Sequence, residues 1–175
     1  RGQMHLLKVL DLPYGKFRDK GTPIDNLSNY NSSEENLVYI APMADIRQKK
    51  LLFGTKTAML KLVSGAEFDV AKRTTAATKL NEGDMVLFVH PVAESDHIVM
   101  QSAKDMFLRI EAGTIPEKKK GAVGVRGMRL ASGDQLEAIY LLREEDEPVS
   151  VRIKDKEVVL NRLHVANRDT KGVKR

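Results

Sequence analysis

The chain has no cysteine and no tryptophan, and only 5% of its residues are aromatic. Without cysteine there is neither a disulfide framework nor a thiolate metal site, which fits a reducing, cytoplasmic setting. Nor is there an apolar run long enough to cross a bilayer, or a basic stretch joined to an apolar one at the start, so no membrane span and no secretory leader are expected. A search for catalytic signatures is equally bare. The sequence contains no GxxxxGK[ST] phosphate loop, no GxSxG elbow and no HExxH, and its four histidines, His5, His90, His97 and His164, are scattered. No catalytic residue and no metal ligand is expected in this chain.

What is present is repetition. Gly121 to Leu130 (GAVGVRGMRL) is followed by Ala131-Ser132-Gly133-Asp134 and an apolar run from Leu136 to Leu142. Arg73 to Leu80 is followed in the same way by Asn81-Glu82-Gly83-Asp84 and Met85 to Val89, and Lys20 to Leu27 precedes Leu37 to Ile40. The anchoring leucines are Leu27, Leu80 and Leu130, 53 and then 50 positions apart. Each unit predicts an extended first strand, a turn, a second strand and then a hairpin. The third strands are Lys50 to Thr55, His97 to Gln101 and Val149 to Ile153; the fourth are Ala58 to Val63, Asp105 to Ile110 and Lys156 to Leu160. Four strands in about fifty residues is the span of one blade of a propeller-like all-β architecture. The recurring Asp84 and Asp134 are expected to bond locally to backbone in their Gly-Asp turns rather than to act as paired carboxylates.

These boundaries divide a single domain, residues 1–175, into the end of a preceding blade (1–13), blades at 16–63, 72–110 and 120–163, and a basic tail or the start of another blade (164–175). Met4 to Leu10 matches a fourth strand, so a chain opening on Arg1-Gly2 is expected to be part of a longer protein. Gly172 lies 48 residues after Gly124, in phase with a further first strand.

Charge adds a functional reading. Lys and Arg number 29 against 24 Asp and Glu, a net of +5, which is only mildly basic. Placement says more than the total: Lys16, Arg18 and Lys20 precede the first unit, Lys72 and Arg73 the second, and Lys118, Lys119 and Lys120 the third, while Arg168, Lys171, Lys174 and Arg175 lie at the end. A single such cluster is an ordinary solvated loop, but recurrence at one phase of a repeat predicts a basic stripe along one rim. The candidate phosphate contacts are Arg18, Lys20, Lys72, Arg73, Lys118, Lys119, Lys120, Arg126 and Arg129. Strand alternation predicts that Arg126 and Arg129 point to opposite faces.

The patterns KGTPIDNL, KRTTAATKL with NEGD, and KKKGAVGVRGMRL with ASGD resemble the C-terminal domain of the A subunit of bacterial type II topoisomerases, DNA gyrase and topoisomerase IV. The likeness runs from about Met4 to Leu163. It is strongest in the third unit; the second has Thr74 in phase with Gly124, and the first has Pro23 and replaces Gly-Asp by Glu35-Asn36. The Gly21-Thr22-Pro23-Ile24 opening leans towards topoisomerase IV, and the glutamine-arginine-rich box of gyrase is not found. The resemblance implies an all-β, β-pinwheel fold, a propeller relative that exchanges strands between blades, as a partial ring or arc. It further implies a non-catalytic domain that binds and bends duplex DNA on its outer rim. The partners it implies are double-stranded DNA, the ATPase B subunit, and the rest of the A subunit. ATP and Mg would belong only to the full enzyme, in a bacterial cytoplasm close to the nucleoid. Two rival readings follow from the residues: a propeller-like protein-protein scaffold, which requires an exposed apolar or aromatic patch, and an enzyme with a site in a central channel, which requires ionisable residues on inner strands that instead read Val-Leu-Phe-Val and Ile-Tyr-Leu-Leu.

Overall fold

A computed structural model describes residues 2–175. Its strands are β1 (Gln3–His5), β2 (Lys50–Thr55), β3 (Met59–Ser64), β4 (Thr74–Ala76), β5 (Val86–Val92), β6 (His97–Ser102), β7 (Met106–Glu111), β8 (Val125–Arg126), β9 (Leu136–Leu142), β10 (Ser150–Ile153), β11 (Lys156–Val159) and β12 (Val173–Lys174). A one-turn helix, Met43–Ile46, and short 3-10 turns complete the chain.

The hairpins β2–β3 and β6–β7 close through three-residue loops. Ala58 N–H donates to Thr55 O and Asp105 N–H to Ser102 O, both at 3.0 Å, and the last loop residue takes a left-handed conformation, φ +63° at Ala58 and +58° at Asp105. That geometry returns the chain with the strand twist and needs no Asn-Gly pair.

The four strands of one chain repeat do not form one sheet. The two larger sheets run β5-β2-β3-β8 and β12-β7-β6-β9, all antiparallel. Each hairpin therefore takes its inner neighbour from the next repeat and its outer neighbour from the repeat after that. β5 and β9 contact each other, which leaves β8 and β12 at the opposite, outer edges. β4 pairs with β1 in the same outer position, and β10 pairs with β11 alone.

Alternation along the hairpins builds the core in layers. Leu52, Leu60 and Leu62 of one sheet meet Ile98, Met100 and Ile110 of the next in a central cluster. On the opposite faces, Phe53, Val63 and Phe68 pack with Ile46 and Met4, and Val99, Phe107 and Leu142 pack with Leu160 and Val151. Burying an aliphatic or aromatic side chain contributes about 1.5–3 kcal/mol each, so these interlayer clusters, rather than strand length, hold the stack together.

The Gly-Asp turns reach further than local bonding. Gly83 (φ +72°) and Gly133 (φ +68°) take the left-handed conformation that the turn requires. Asp84 Oδ1 accepts from Met85 N–H at 2.8 Å and also from Thr57 N–H at 3.0 Å, while the Thr57 hydroxyl donates to Oδ2. Asp134 Oδ1 accepts from Gln135 N–H at 2.9 Å and Lys104 N–H at 3.2 Å. Each aspartate thus joins its own turn to the hairpin of the preceding repeat. Asp84→Ala is expected to lower stability by about 2 kcal/mol, because it leaves the part-buried Thr57 N–H unpaired; reversible thermal or urea unfolding measures it.

Two strand expectations are corrected. Lys20 to Leu27 forms a single 3-10 turn, Ile24–Asn26, entered through Pro23, which has no N–H to give to a ladder. Leu37 to Ile40 is not a strand, and Leu37 and Ile40 are 56% and 64% exposed. β5 and β9 each lie against the third strand of the repeat before their own; no such strand precedes Leu37 among the described residues, so its apolar run finds no ladder. The first strands at Arg73 to Leu80 and Gly121 to Leu130 are also shorter than expected, shrinking to β4 and β8.

Candidate nucleic-acid interface

The Lys72–Arg73 and Lys118–Lys120 segments precede the outer strands β4 and β8, whereas Arg18 and Lys20 lie on an exposed loop. In the third unit the crossing to β8 requires Gly124: a Cβ there would lie 2.6 Å from Leu60 O on β3. Gly172 repeats the situation, with a Cβ placed 2.4 Å from Phe107 O on β7 and φ at +74°. At these two positions the glycine marks where one backbone passes against another, while the second unit carries Thr74 at the same phase on β4.

Each basic segment from the second unit on is met by a carboxylate. Arg73, just before β4, lies 3.9 Å from Asp11, in the 3-10 turn that leads to exposed Arg18 and Lys20. Lys72 beside it is exposed. Glu67, in the turn after β3, lies 3.4 Å from Lys119 Nζ and accepts the Lys120 backbone N–H at 2.9 Å. The Lys120 contact is the main cause that holds the Glu67 carboxyl below its ordinary range, with Lys119 adding to it. Asp169, before β12, lies 3.5 Å from Arg126 and 3.7 Å from Arg129. These are largely exposed pairs and contribute little stability.

The structure corrects one expectation here. Strand alternation puts Arg126 and Arg129 on opposite faces, yet both reach the same Asp169 oxygen. Alternation fails because β8 ends at Arg126: Gly127 N–H turns to Ala58 O at 2.7 Å, and Met128 forms an isolated bridge with Thr170. Arg168 joins the group by donating to Arg126 O at 2.7 Å.

Two inward-facing cations escaped the sequence reading. Lys61 sits in the apolar run Met59 to Val63, where alternation places it across from Leu60 and Leu62; its face is an interior one, and it is 2% exposed. Its ammonium donates to the carbonyl oxygens of Lys119, Lys120 and Ala122 at 3.2, 2.8 and 2.7 Å. Burial pushes it down to about 8, opposed by Glu67 and reinforced by Lys118. The second is Arg109, which donates to Asn161 O and to Leu163 O, and whose other guanidinium nitrogens bond to His97 Nδ1. Neither has a sequence signal beyond being a cation inside an apolar strand.

Among the described residues, no cluster of His, Asp or Glu could hold a metal ion, and no helix is long and apolar enough to cross a membrane. On the outer edge the exposed cations stand beside one hydroxyl–imidazole–carboxylate contact: Thr74 Oγ1 on β4 lies 3.1 Å from His5 Nδ1, and His5 Nε2 lies 3.1 Å from Glu35.

Sheets that borrow strands from successive repeats, stacked around apolar layers with cations on the outer edge, define a β-pinwheel, a propeller-like class. The family model of the DNA gyrase C-terminal domain, beta-propeller, matches residues 49–93 and 96–143, and the chain belongs to that family. It is 29% identical over 99% of its length to the DNA gyrase A subunit of Lawsonia intracellularis, covering 22% of that protein, and 26% identical over 82% of its length to its Escherichia coli K12 counterpart, covering 16%. The chain thus spans about a fifth of these relatives. Among solved structures it matches the C-terminal domain of DNA topoisomerase IV with a TM-score of 0.89 at 22% identity, covering 99% of this chain and 55% of that one. It also matches a DNA gyrase A C-terminal domain with a TM-score of 0.74 at 19% identity, covering 98% and 56%. At these identities the structural matches speak for the fold.

Proposed function

We propose that this chain is a non-catalytic DNA-binding and DNA-bending domain of a type II topoisomerase A subunit, holding duplex DNA on its basic outer edge for strand passage and supercoiling control. The observation that supports this most is the recurrence of basic segments at one phase of the repeat, two of them leading into the outer strands β4 and β8. Lysines and arginines there displace condensed counterions from phosphates, which gives affinity with little sequence readout and a steep loss with salt. Bending a duplex along the edge costs on the order of 1–6 kcal/mol and is offset only when several segments bind at once. In this reading the chain needs no cofactor, and DNA cleavage, ATP and Mg belong to the ATPase B subunit, or to the rest of the A subunit, in the bacterial cytoplasm.

The test is a salt titration of binding to a long duplex and to one too short to reach a second basic segment. Tighter binding to the long duplex, with log K falling steeply as salt rises, is the expected result. Absence of binding to either at low salt overturns the reading in favour of a protein-protein scaffold. One observation favours that second reading: Leu10, Tyr14 and Phe17 are almost fully exposed, and Val9 largely so. Such a patch suits a protein partner, although Lys16, Arg18 and Lys20 stand among its aromatics.

A further inference from the structure

Lys61 is the most deeply buried cation that touches the basic edge. The pairings Gly54 with Leu60 and Gln101 with Phe107 place it at the position that Leu108 occupies in the next sheet, so the fold does not require a cation there. All three of its N–H bonds are used, on Lys119, Lys120 and Ala122 carbonyls, and its ammonium lies 5.7 Å from the centre of the Phe53 ring. Three carbonyls of one turn are thereby drawn inward, and their negative ends face away from the edge where the Lys119 side chain stands. Lys118 N–H donates to Leu62 O at 2.8 Å, Glu67 accepts the Lys120 N–H, and the Lys120 ammonium donates to Glu67 O at 3.2 Å, so the turn is fixed at both ends with Lys119 its most exposed cation.

From this geometry we infer that Lys61 is a positioning residue for phosphate recognition: its ammonium holds the Lys118–Ala122 turn in the shape that presents Lys118, Lys119 and Lys120 to a phosphodiester backbone. The inference rests on the DNA-binding reading of that turn. An unprotonated amine has two N–H bonds for three carbonyls and relaxes the turn. The groups that face Lys61 are Glu67, which favours its charge, and Lys118, which opposes it; Lys79 and Asp84 line the small hollow beside it. With the ammonium at about 8, DNA binding favours the protonated form, takes up a proton above that pH, and weakens as pH rises from 7 to 9.

The experiment compares wild type, Lys61→Met, Lys120→Ala and the double variant for duplex affinity at fixed salt, with melting curves as a check on folding. Each single variant is expected to bind more weakly, and the double variant to lie within about twofold of the weaker single, as residues acting through one turn do. If Lys120→Ala weakens binding while Lys61→Met does not, or if the two effects multiply, the inference is overturned and the DNA reading stands. Should Lys120→Ala and Lys119→Ala both leave affinity unchanged, the phosphate reading of the turn fails and takes the inference with it. If Lys61→Met does not fold, calorimetry on wild type at about pH 8.5, in two buffers of different ionisation enthalpy, decides: proton uptake on binding a duplex supports the role of Lys61, and its absence overturns it.

Discussion

Replacing Lys118, Lys119 and Lys120 together by alanine is expected to lower duplex affinity by at least tenfold near 0.1 M salt and to flatten the salt dependence. Each lost phosphate contact removes about 0.9 from the slope of log K against log salt, so three contacts remove about 2.7. The reduction in slope is the diagnostic quantity, because a general loss of folded protein would lower the amplitude of binding and leave the slope alone. The effect should be large for this segment because its turn is seated on Lys61 and Glu67, whereas Arg18 and Lys20 stand on an open loop. The folded state should survive the triple substitution. The triple substitution removes the Lys119–Glu67 pair and the Lys120 ammonium's bond to Glu67 O, but the turn keeps its carbonyls on Lys61 and the Lys118 and Lys120 backbone N–H bonds, which do not depend on these side chains.

Gly124→Ala is expected to destabilise the protein by about 3 kcal/mol, the upper part of the range for forcing extra atoms into a packed site. The added methyl would meet the Leu60 carbonyl group and amide at 2.6 to 3.0 Å, and this backbone lies in the middle of a sheet and cannot retreat. For a chain of this size that corresponds to a fall in Tm of roughly 6–12 °C. Gly133→Ala, where nothing lies within reach of a Cβ, is a useful contrast: it costs only the strain of its positive φ, on the order of 1 kcal/mol. If melting curves showed the two variants to be equally stable, the account of the periodic glycine as a backbone crossing would be wrong. The Gly124 variant should also lose DNA affinity in proportion to the release of β8, since Arg126 and Arg129 are carried on that crossing.

Much of the fold was legible because its signals are local or periodic. The hairpins at Lys50 to Val63 and His97 to Ile110 announce themselves by short apolar runs on either side of a tight polar turn, and β2, β3, β6 and β7 lie within a residue of the expected bounds. The Gly-Asp turns follow from conformational preference at Gly83 and Gly133. The failures have a common cause. Whether Leu37 to Ile40 forms a strand depends on the presence of a neighbour, because a strand's hydrogen bonds lie outside itself. The alternation rule misjudged Arg126 and Arg129 for a related reason: it holds only while the ladder continues, and the ladder on β3 ends with Arg126.

The repeat of about fifty residues, the hairpins within it, the family resemblance and the placement of cations before each unit were determined by the sequence alone, because composition and period need no partner to be read. Only the tertiary structure decided which strands share a sheet, why a side chain at Gly124 or Gly172 would meet a neighbouring backbone, and which carboxylate each of Arg73, Lys119, Arg126 and Arg129 meets. It also decided that Lys61, a charge in the middle of an apolar strand, faces inward. A strand's alternation gives its two faces, but in a stack of sheets both faces are interior, and which one receives a turn full of carbonyls depends on residues almost sixty positions away.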